Sequence, residues 1–492
     1  MFKNPSLAEF IKQPVIPHFI NGAWQPGATS QSFEVKNPSD GTVLARVARG
    51  GAKEIDAAVK AAHAAFPKWA ALPAKGRAAI LRKLADLIDA ELADFALLES
   101  LDVGKAVTAA KGFDIPFGTA CLRYYADLVV GRETDTELKV TGMEARVHRA
   151  PYGVCGFIFP WNFPFDLLMW GVAPALAAGN TVVVKPSEIT PLTTLAFCRL
   201  AEKAGVPAGV INVVTGTGTE AGVPLTEHPL VRRMSFTGSP GVGKAVAEAC
   251  GRRLVPCKLE LGGKGAAIVF KDVDVKETAK KLAGAITLNT GQVCCTASRW
   301  IVQDEIFDTF VESAIAALKN VKIGPGTDPA TEMGPLASEV HRNRVLEHLQ
   351  RGRKEGAQTL LEGGSLNVKD QKNGYYVSPS LMTGDPDNCC CREEVFGPSA
   401  FLLRFKSEQE AVDLANRLEY GLANSVWSAD LNRANTVAEK LVAGNVWINA
   451  HNVFAYGLPY GGVNLSGLGG GVNGPGTLDD YLRATSIARP LA

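Results

Sequence analysis

YGVCGFIFPWNFPFDLLMWGVAPALAAGNTVVV, residues 152–184, carries a single charged side chain, Asp166, and is long enough to suggest a membrane span. Proline excludes that reading. Pro160, Pro164 and Pro174 interrupt the run, and Gly179-Asn180 closes its helical part before the β-branched residues 181–184 begin. The segment therefore reads as a buried strand, a loop, a helix of moderate length and a second buried strand. That is the interior of an α/β domain.

Outward from this segment the pattern repeats. Short apolar runs at 154–159, 182–184, 210–214 and 234–236 alternate with helical stretches, which implies a parallel sheet covered on both faces. A second series opens at 266–270 and continues at 299–302, 400–404 and 444–448. Upstream, Asn21-Gly22 marks a hairpin between apolar residues. Ile55, Val59, Ala62 and Phe66, then Ile80, Leu84, Leu87 and Ile88, recur at helical spacing. A chain of 492 residues exceeds one ordinary core. The fold class expected is α/β, with two Rossmann-like parallel domains joined near 260–265. Residues 140–150 and 482–488 fit neither domain, and their strand-like composition suggests a β extension reaching another subunit.

The net charge of +1, with both signs mixed along the chain, gives no footprint for nucleic acid. Ten cysteines, several of them adjacent, are no disulfide framework, so a reducing, cytoplasmic setting is expected. Residues 1–17 carry Lys3, Glu9 and Lys12 and lack the apolar core of a signal peptide. Cys389-Cys390-Cys391 lacks zinc-site spacing and has no paired histidine cluster, so no metal is expected.

Several motifs carry chemistry. In Gly291-Gln292-Val293-Cys294-Cys295, Cys294 is either an inert buried thiol or a nucleophile. Leu259-Glu260-Leu261-Gly262-Gly263-Lys264 supplies a candidate base. A thiol served by a carboxylate, with no obvious histidine partner, suits an enzyme that makes and hydrolyses a thioester, as aldehyde oxidation requires. Phe159-Pro160-Trp161-Asn162-Phe163-Pro164 leaves the sheet where ligand loops usually sit. Asn162 is there either a turn residue or a donor to an oxyanion. Lys185-Pro186-Ser187-Glu188 follows a buried strand, where the charges are either a solvated pair or contacts to a dinucleotide ribose. Gly216-Thr217-Gly218 with Gly222, and Phe236-Thr237-Gly238-Ser239, are glycine turns able to aim N–H groups at a pyrophosphate. Glu393-Glu394-Val395-Phe396-Gly397-Pro398 adds a carboxylate and a ring. Each is ambiguous alone.

Taken in order, Pro-Trp-Asn-Phe-Pro, Lys-Pro-Ser-Glu, Phe-Thr-Gly-Ser, Leu-Glu-Leu-Gly-Gly-Lys, Gly-Gln-x-Cys and Glu-Glu-x-Phe-Gly-Pro, the motifs resemble the aldehyde dehydrogenase superfamily across nearly the whole chain. That resemblance implies Cys294 as nucleophile, Glu260 as general base and Asn162 as oxyanion donor. It puts Lys185 and Glu188 on the adenosine ribose of NAD, Ser239 near the pyrophosphate, and Glu394 and Phe396 at the nicotinamide end. Phe159, Pro160, Trp161, Ser187, Gly218, Gly222, Phe236, Thr237, Gly238 and Leu261 complete the expected cofactor set. Phe163, Asp166, Leu167, Trp170, Cys295, Asn452, Phe454, Tyr456 and Tyr460 are expected along the aldehyde tunnel, where aromatic walls would suit an apolar, aryl or quaternary ammonium aldehyde.

The resemblance also implies an NAD-binding domain from 1–130 and 150–262, a catalytic domain at 263–465, and an oligomerisation arm from 131–149 and 466–492, in a homodimer or homotetramer with no membrane partner. NAD is expected over NADP because Glu188 would face a 2′-phosphate with like charge. Two other readings stand beside hydrolytic oxidation: transfer of the thioester to coenzyme A, against which Glu260 argues, and a binding protein that kept the fold without activity. One departure is visible: where the family reads Gly-Gly-x-Lys-x-Ser-Gly and then Gly-Arg-Glu, this chain has Gly461-Gly462-Val463-Asn464-Leu465-Ser466-Gly467 and Gly469-Gly470-Gly471. The charges that would anchor this segment are missing.

Overall fold

The computed structural model describes residues 2–28 and 30–491. Residues 152–184 form strand Val154–Ile158, helix Pro164–Ala178 and strand Thr181–Lys185, with every residue of the three buried. Pro164 takes the first helical turn, where its missing N–H leaves no partner unpaired. Gly179, at φ 99°, ends the helix in the left-handed conformation. The helix is apolar on every side because protein encloses it. No described helix is long and apolar enough to cross a membrane.

The two strands are neighbours in an eight-stranded sheet of order 23–25, 18–20, 211–213, 181–185, 154–158, 231–237, 257–260, 467–468. Its five inner strands from 211–213 to 257–260 run parallel, and antiparallel strands close both edges. Asn21 and Gly22, at φ 55° and 73°, make the hairpin turn that pairs Ile20 with Ala23. A second sheet of seven strands has the order 358–361, 380–383, 399–405, 299–303, 266–269, 423–427, 445–448, parallel except for its first pair. Ala266 and Ile268 face one core and Ala267 and Val269 the other, so helices cover both sides.

Some expectations shift. Strands 257–260, 380–383 and 423–427 escape a search for apolar runs because Lys258, Glu260, Ser380, Asn424 and Ser425 interrupt them, although all five are buried. Helix Ala74–Ala90 turns Leu81, Leu84, Ala85 and Ile88 inward and leaves Ile80 and Leu87 at the margin. Residues 135–140, 143–151 and 482–490 form a three-stranded antiparallel sheet with 143–151 at its centre, paired from Leu482 with Pro151 to Pro490 with Met143. An arm beginning at 466 starts too early: Gly467–Leu468 pairs with Leu259 and Glu260 instead, and the central strand runs two residues past 149.

Candidate active site

The parallel strands of the first sheet all end at one edge, where ligands of open α/β sheets bind. Strand Val154–Ile158 delivers the loop bearing Asn162, strand Val231–Thr237 delivers Gly238 and Ser239, and strand Cys257–Glu260 delivers its own last residue. Across from them, between helix Val275–Thr287 and strand Arg299–Gln303 of the second sheet, stands the loop that carries Cys294. One cavity of about 680 Å³ lies between, lined by Asn162, Glu260 and Cys294 together.

The Cys294 loop is strained. Asn289, Thr290 and Gly291 have φ of 47°, 57° and 73°, a left-handed run that a β-branched threonine rarely joins. Neighbours hold it: Thr290 Oγ1 donates to the Gly334 carbonyl at 2.9 Å, and Asn289 Nδ2 donates to the Asn162 carbonyl at 2.8 Å. Gly291 leaves no room for a Cβ, which would lie 2.2 Å from the Gly397 carbonyl carbon. Asn162 Nδ2 in turn donates to the Gln292 carbonyl at 3.1 Å, so the asparagine and the thiol loop are fastened to each other.

Electrostatics separate the two adjacent cysteines. The Cys295 thiol and the Tyr460 hydroxyl, the latter 3.4 Å from Sγ, hold the half-buried Cys294 thiol down at about 7 against the effect of burial. Burial first, and then Cys294 itself, push Cys295 well above the usual thiol range, and its Sγ donates to Asn452 Oδ1 at 3.4 Å. Among the described residues the buried carboxyl of Glu260 makes no well-formed hydrogen bond on either oxygen, and burial, opposed by Lys258 and the Gly462 N–H, raises it well above the carboxylate range. Glu394 is pushed up to about 8 by burial, while its Oε1 accepts from Gly263 N–H at 2.9 Å.

Of the remaining expected residues, Pro160, Trp161, Thr237, Gly238, Ser239, Leu261, Glu394 and Phe396 line the same cavity, as do Phe163, Asp166, Leu167, Trp170, Cys295, Asn452, Phe454 and Tyr460. Phe396 is held at φ 58°, with its carbonyl accepting from His341 Nε2 at 2.7 Å and its ring edge-on to Trp161. Lys185, Ser187, Glu188, Gly218 and Gly222 are not among the lining residues. They cluster beside the end of strand Thr181–Lys185, where Lys185 Nζ is 3.2 Å from Glu188 Oε2 and donates to the Gly216 carbonyl at 2.9 Å. Phe159 and Phe236 are also off the cavity wall: the ring of the first stands over Gly171, that of the second against Gly238. Tyr456 is also off the cavity wall, stacked on Phe117 and donating to its carbonyl at 2.6 Å.

Sequence reading missed Lys105, on the turn after helix Leu92–Val103, and Phe113 and Asp114, in the helical segment 110–114, all of which reach the cavity. Lys105 Nζ lies 3.0 Å from Asp114 and 3.5 Å from Glu99, all three buried, and 4.0 Å above the Phe163 ring. Buried charges in a helical run were the available signal. The triple cysteine does meet a histidine, with donor atoms of His348, Cys389 and Cys390 within 4.8 Å of one another. Lys264 and Arg351 face the same thiols, an unfavourable setting for a cation, and none of the three lines the cavity.

Residues 24–487 match the model of the aldehyde dehydrogenase family. A 2-hydroxymuconic semialdehyde dehydrogenase of Pseudomonas sp. strain CF600 is 42% identical over 96% of this chain and 99% of its own length. A 2-aminomuconic semialdehyde dehydrogenase of Bos taurus is 39% identical over 92% of this chain and 94% of its own. The NAD+ complex of an aldehyde dehydrogenase from Bacillus cereus superposes with a TM-score of 0.96 at 36% identity, covering 99% of each chain.

Proposed function

Because this chain belongs to the aldehyde dehydrogenase family, we propose that it oxidises an aldehyde to its carboxylic acid with NAD as hydride acceptor. Cys294 Sγ attacks the aldehyde carbon, and the Asn162 amide donates to the oxygen on which charge develops. The thiohemiacetal loses a hydride and becomes a thioester. Glu260 then takes a proton from the water that displaces Cys294 and releases the acid. The single observation carrying this reading is that a buried carboxyl raised above the carboxylate range and a thiol held near neutrality share one cavity.

Bound NAD supplies the hydride acceptor. The residues fit such a group: Ser239 stands at the N-cap position of helix Pro240–Arg252 without a side-chain capping bond, so the N-terminus keeps its donors for a pyrophosphate, and Gly241 and Gly218 leave open space where a Cβ would stand. Glu188 would accept from the ribose hydroxyls, and Glu394 and Phe396 would border the nicotinamide end. Two separate parallel sheets support a cofactor domain of 1–130 and 150–262 and a catalytic domain of 263–465. An exposed three-stranded sheet supports assembly as a homodimer or homotetramer, and ten free thiols support a reducing, cytoplasmic setting.

The test is NADH formation with a panel of aldehydes, followed by Glu260→Gln. That variant should release one burst of NADH and stall, with an acyl adduct on Cys294 visible by mass spectrometry. Unchanged steady-state turnover would remove Glu260 from the mechanism.

A further inference from the structure

The segment that lost its family charges is anchored from the opposite side. Strand Gly467–Leu468 pairs with Leu259 and Glu260, and from the same strand as Glu260 the buried Lys258 reaches across, donating to the Gly471 carbonyl at 2.6 Å and lying 2.8 Å from Asp480 Oδ2. Side chains two apart on a strand share a face, so Lys258 and Glu260 project to the same side of this sheet edge. The lysine is 1% exposed, whereas the side chain of Asp480 is 28% exposed and marks the wet end of the pair.

We propose that Lys258 is a positioning residue for deacylation: pinned by Gly471 and Asp480, its ammonium keeps Glu260 ionisable in a site that otherwise opposes charge. This rests on Glu260 being the base. The charged and titratable groups around the pair come from four elements. Cys294, on the loop, and Asp480, after the C-terminal helix, disfavour the Glu260 carboxylate, and Lys258 is the cation that favours it. Burial pushes the Lys258 ammonium down, Asp480 opposes that effect, and Arg233, on the neighbouring strand and over the Tyr481 ring, adds to it. Burial raises Glu260, and the ammonium partly offsets that effect.

The experiment reads steady-state kcat and first-turnover NADH formation against pH for the full-length wild type, Lys258→Met, Lys258→Arg and Asp480→Asn. A general base works deprotonated, so kcat should rise as pH climbs through the Glu260 value. Without the ammonium that limb should move up by about one pH unit, with kcat on its acid side falling roughly tenfold and the first turnover falling less. Lys258→Arg should restore the limb. Asp480→Asn loosens the pin and removes the partner that sustains the buried ammonium, so its limb should also move up, by less than in Lys258→Met. A purely structural role would lower kcat at every pH without moving the limb, and that result would overturn the proposal. If Lys258→Met does not fold, Asp480→Asn decides alone: an upward limb supports the proposal, and an unmoved or lowered one overturns it. If Glu260→Gln turns over normally, the proposed function itself has failed; if it stalls while these profiles stay fixed, only this inference has.

Discussion

Cys294 and Cys295 are adjacent in sequence and opposite in chemistry, because the Cys295 thiol and the Tyr460 hydroxyl outweigh burial at the first, whereas burial and Cys294 prevail at the second. Cys294→Ala should abolish oxidation while leaving NAD binding, followed by tryptophan fluorescence, nearly intact, and Cys295→Ala should keep substantial activity. An exchange of these behaviours would reverse the assignment. The pH dependence of the first turnover should rise through about 7, where Cys294 becomes thiolate. Steady-state turnover should show a further rising limb from Glu260, whose carboxyl burial raises well above the carboxylate range. Glu188 belongs to the same scale. Lys185 is already engaged by Glu188 and the Gly216 carbonyl, so it is poorly placed to compensate a 2′-phosphate facing that carboxylate. Glu188→Gln should narrow the preference for NAD over NADP, chiefly by improving kcat/KM with NADP. Equal wild-type efficiency with the two would show that Glu188 does not govern the choice.

Elements set how firmly these groups are held. The left-handed run at 289–291 is possible because its last member is glycine and because side chains of Asn289 and Thr290 tie it to neighbouring carbonyls. Gly291→Ala would drive a methyl into the Gly397 backbone, so kcat should fall by a factor of ten or more while thermal stability drops by about 1–3 kcal/mol. Unaltered kinetics would mean that the loop's conformation is not needed. Asp102, at the end of helix Leu92–Val103, illustrates a buried acid used for packing: Oδ2 accepts from Leu192 N–H at 2.8 Å, and burial raises its carboxyl well above the usual range. Its folded-state value lies above the unfolded one, so its contribution is fully present below the unfolded pKa and is lost as pH rises through the folded value. Asp102→Asn should therefore gain in stability relative to the wild type as pH increases. Denaturant midpoints at several pH values test this, and a difference that shrank with pH would contradict it.

At the scale of the whole molecule, the sheet of 135–140, 143–151 and 482–490 stands apart from both cores. Leu138, Val140, Met143 and Ile487 are each more than 40% exposed on it. Apolar side chains on an open sheet edge invite a second copy. Replacing Leu138 and Ile487 with aspartate should reduce the molar mass in solution, measured by light scattering, without unfolding either domain. An unchanged mass would move the interface elsewhere.

Much of this molecule was legible in residues 152–184 and the motifs that follow, since strand and helix periods, proline and glycine positions and motif order are local properties of a chain. The two-sheet α/β class, the family and the candidate set of Cys294, Glu260 and Asn162 rest on such local signals. Burial is not local. The sequence marks Lys258 as a charge that breaks an apolar run, and only the tertiary structure makes it a buried strand residue held by Asp480. Likewise Lys105 and Asp114 reach the cavity through helix packing, the rings of Phe159 and Phe236 stand against glycines, and Gly467–Leu468 becomes a sheet edge instead of part of the arm. Contacts between residues hundreds of positions apart depend on how closed cores share space, which local patterns do not encode.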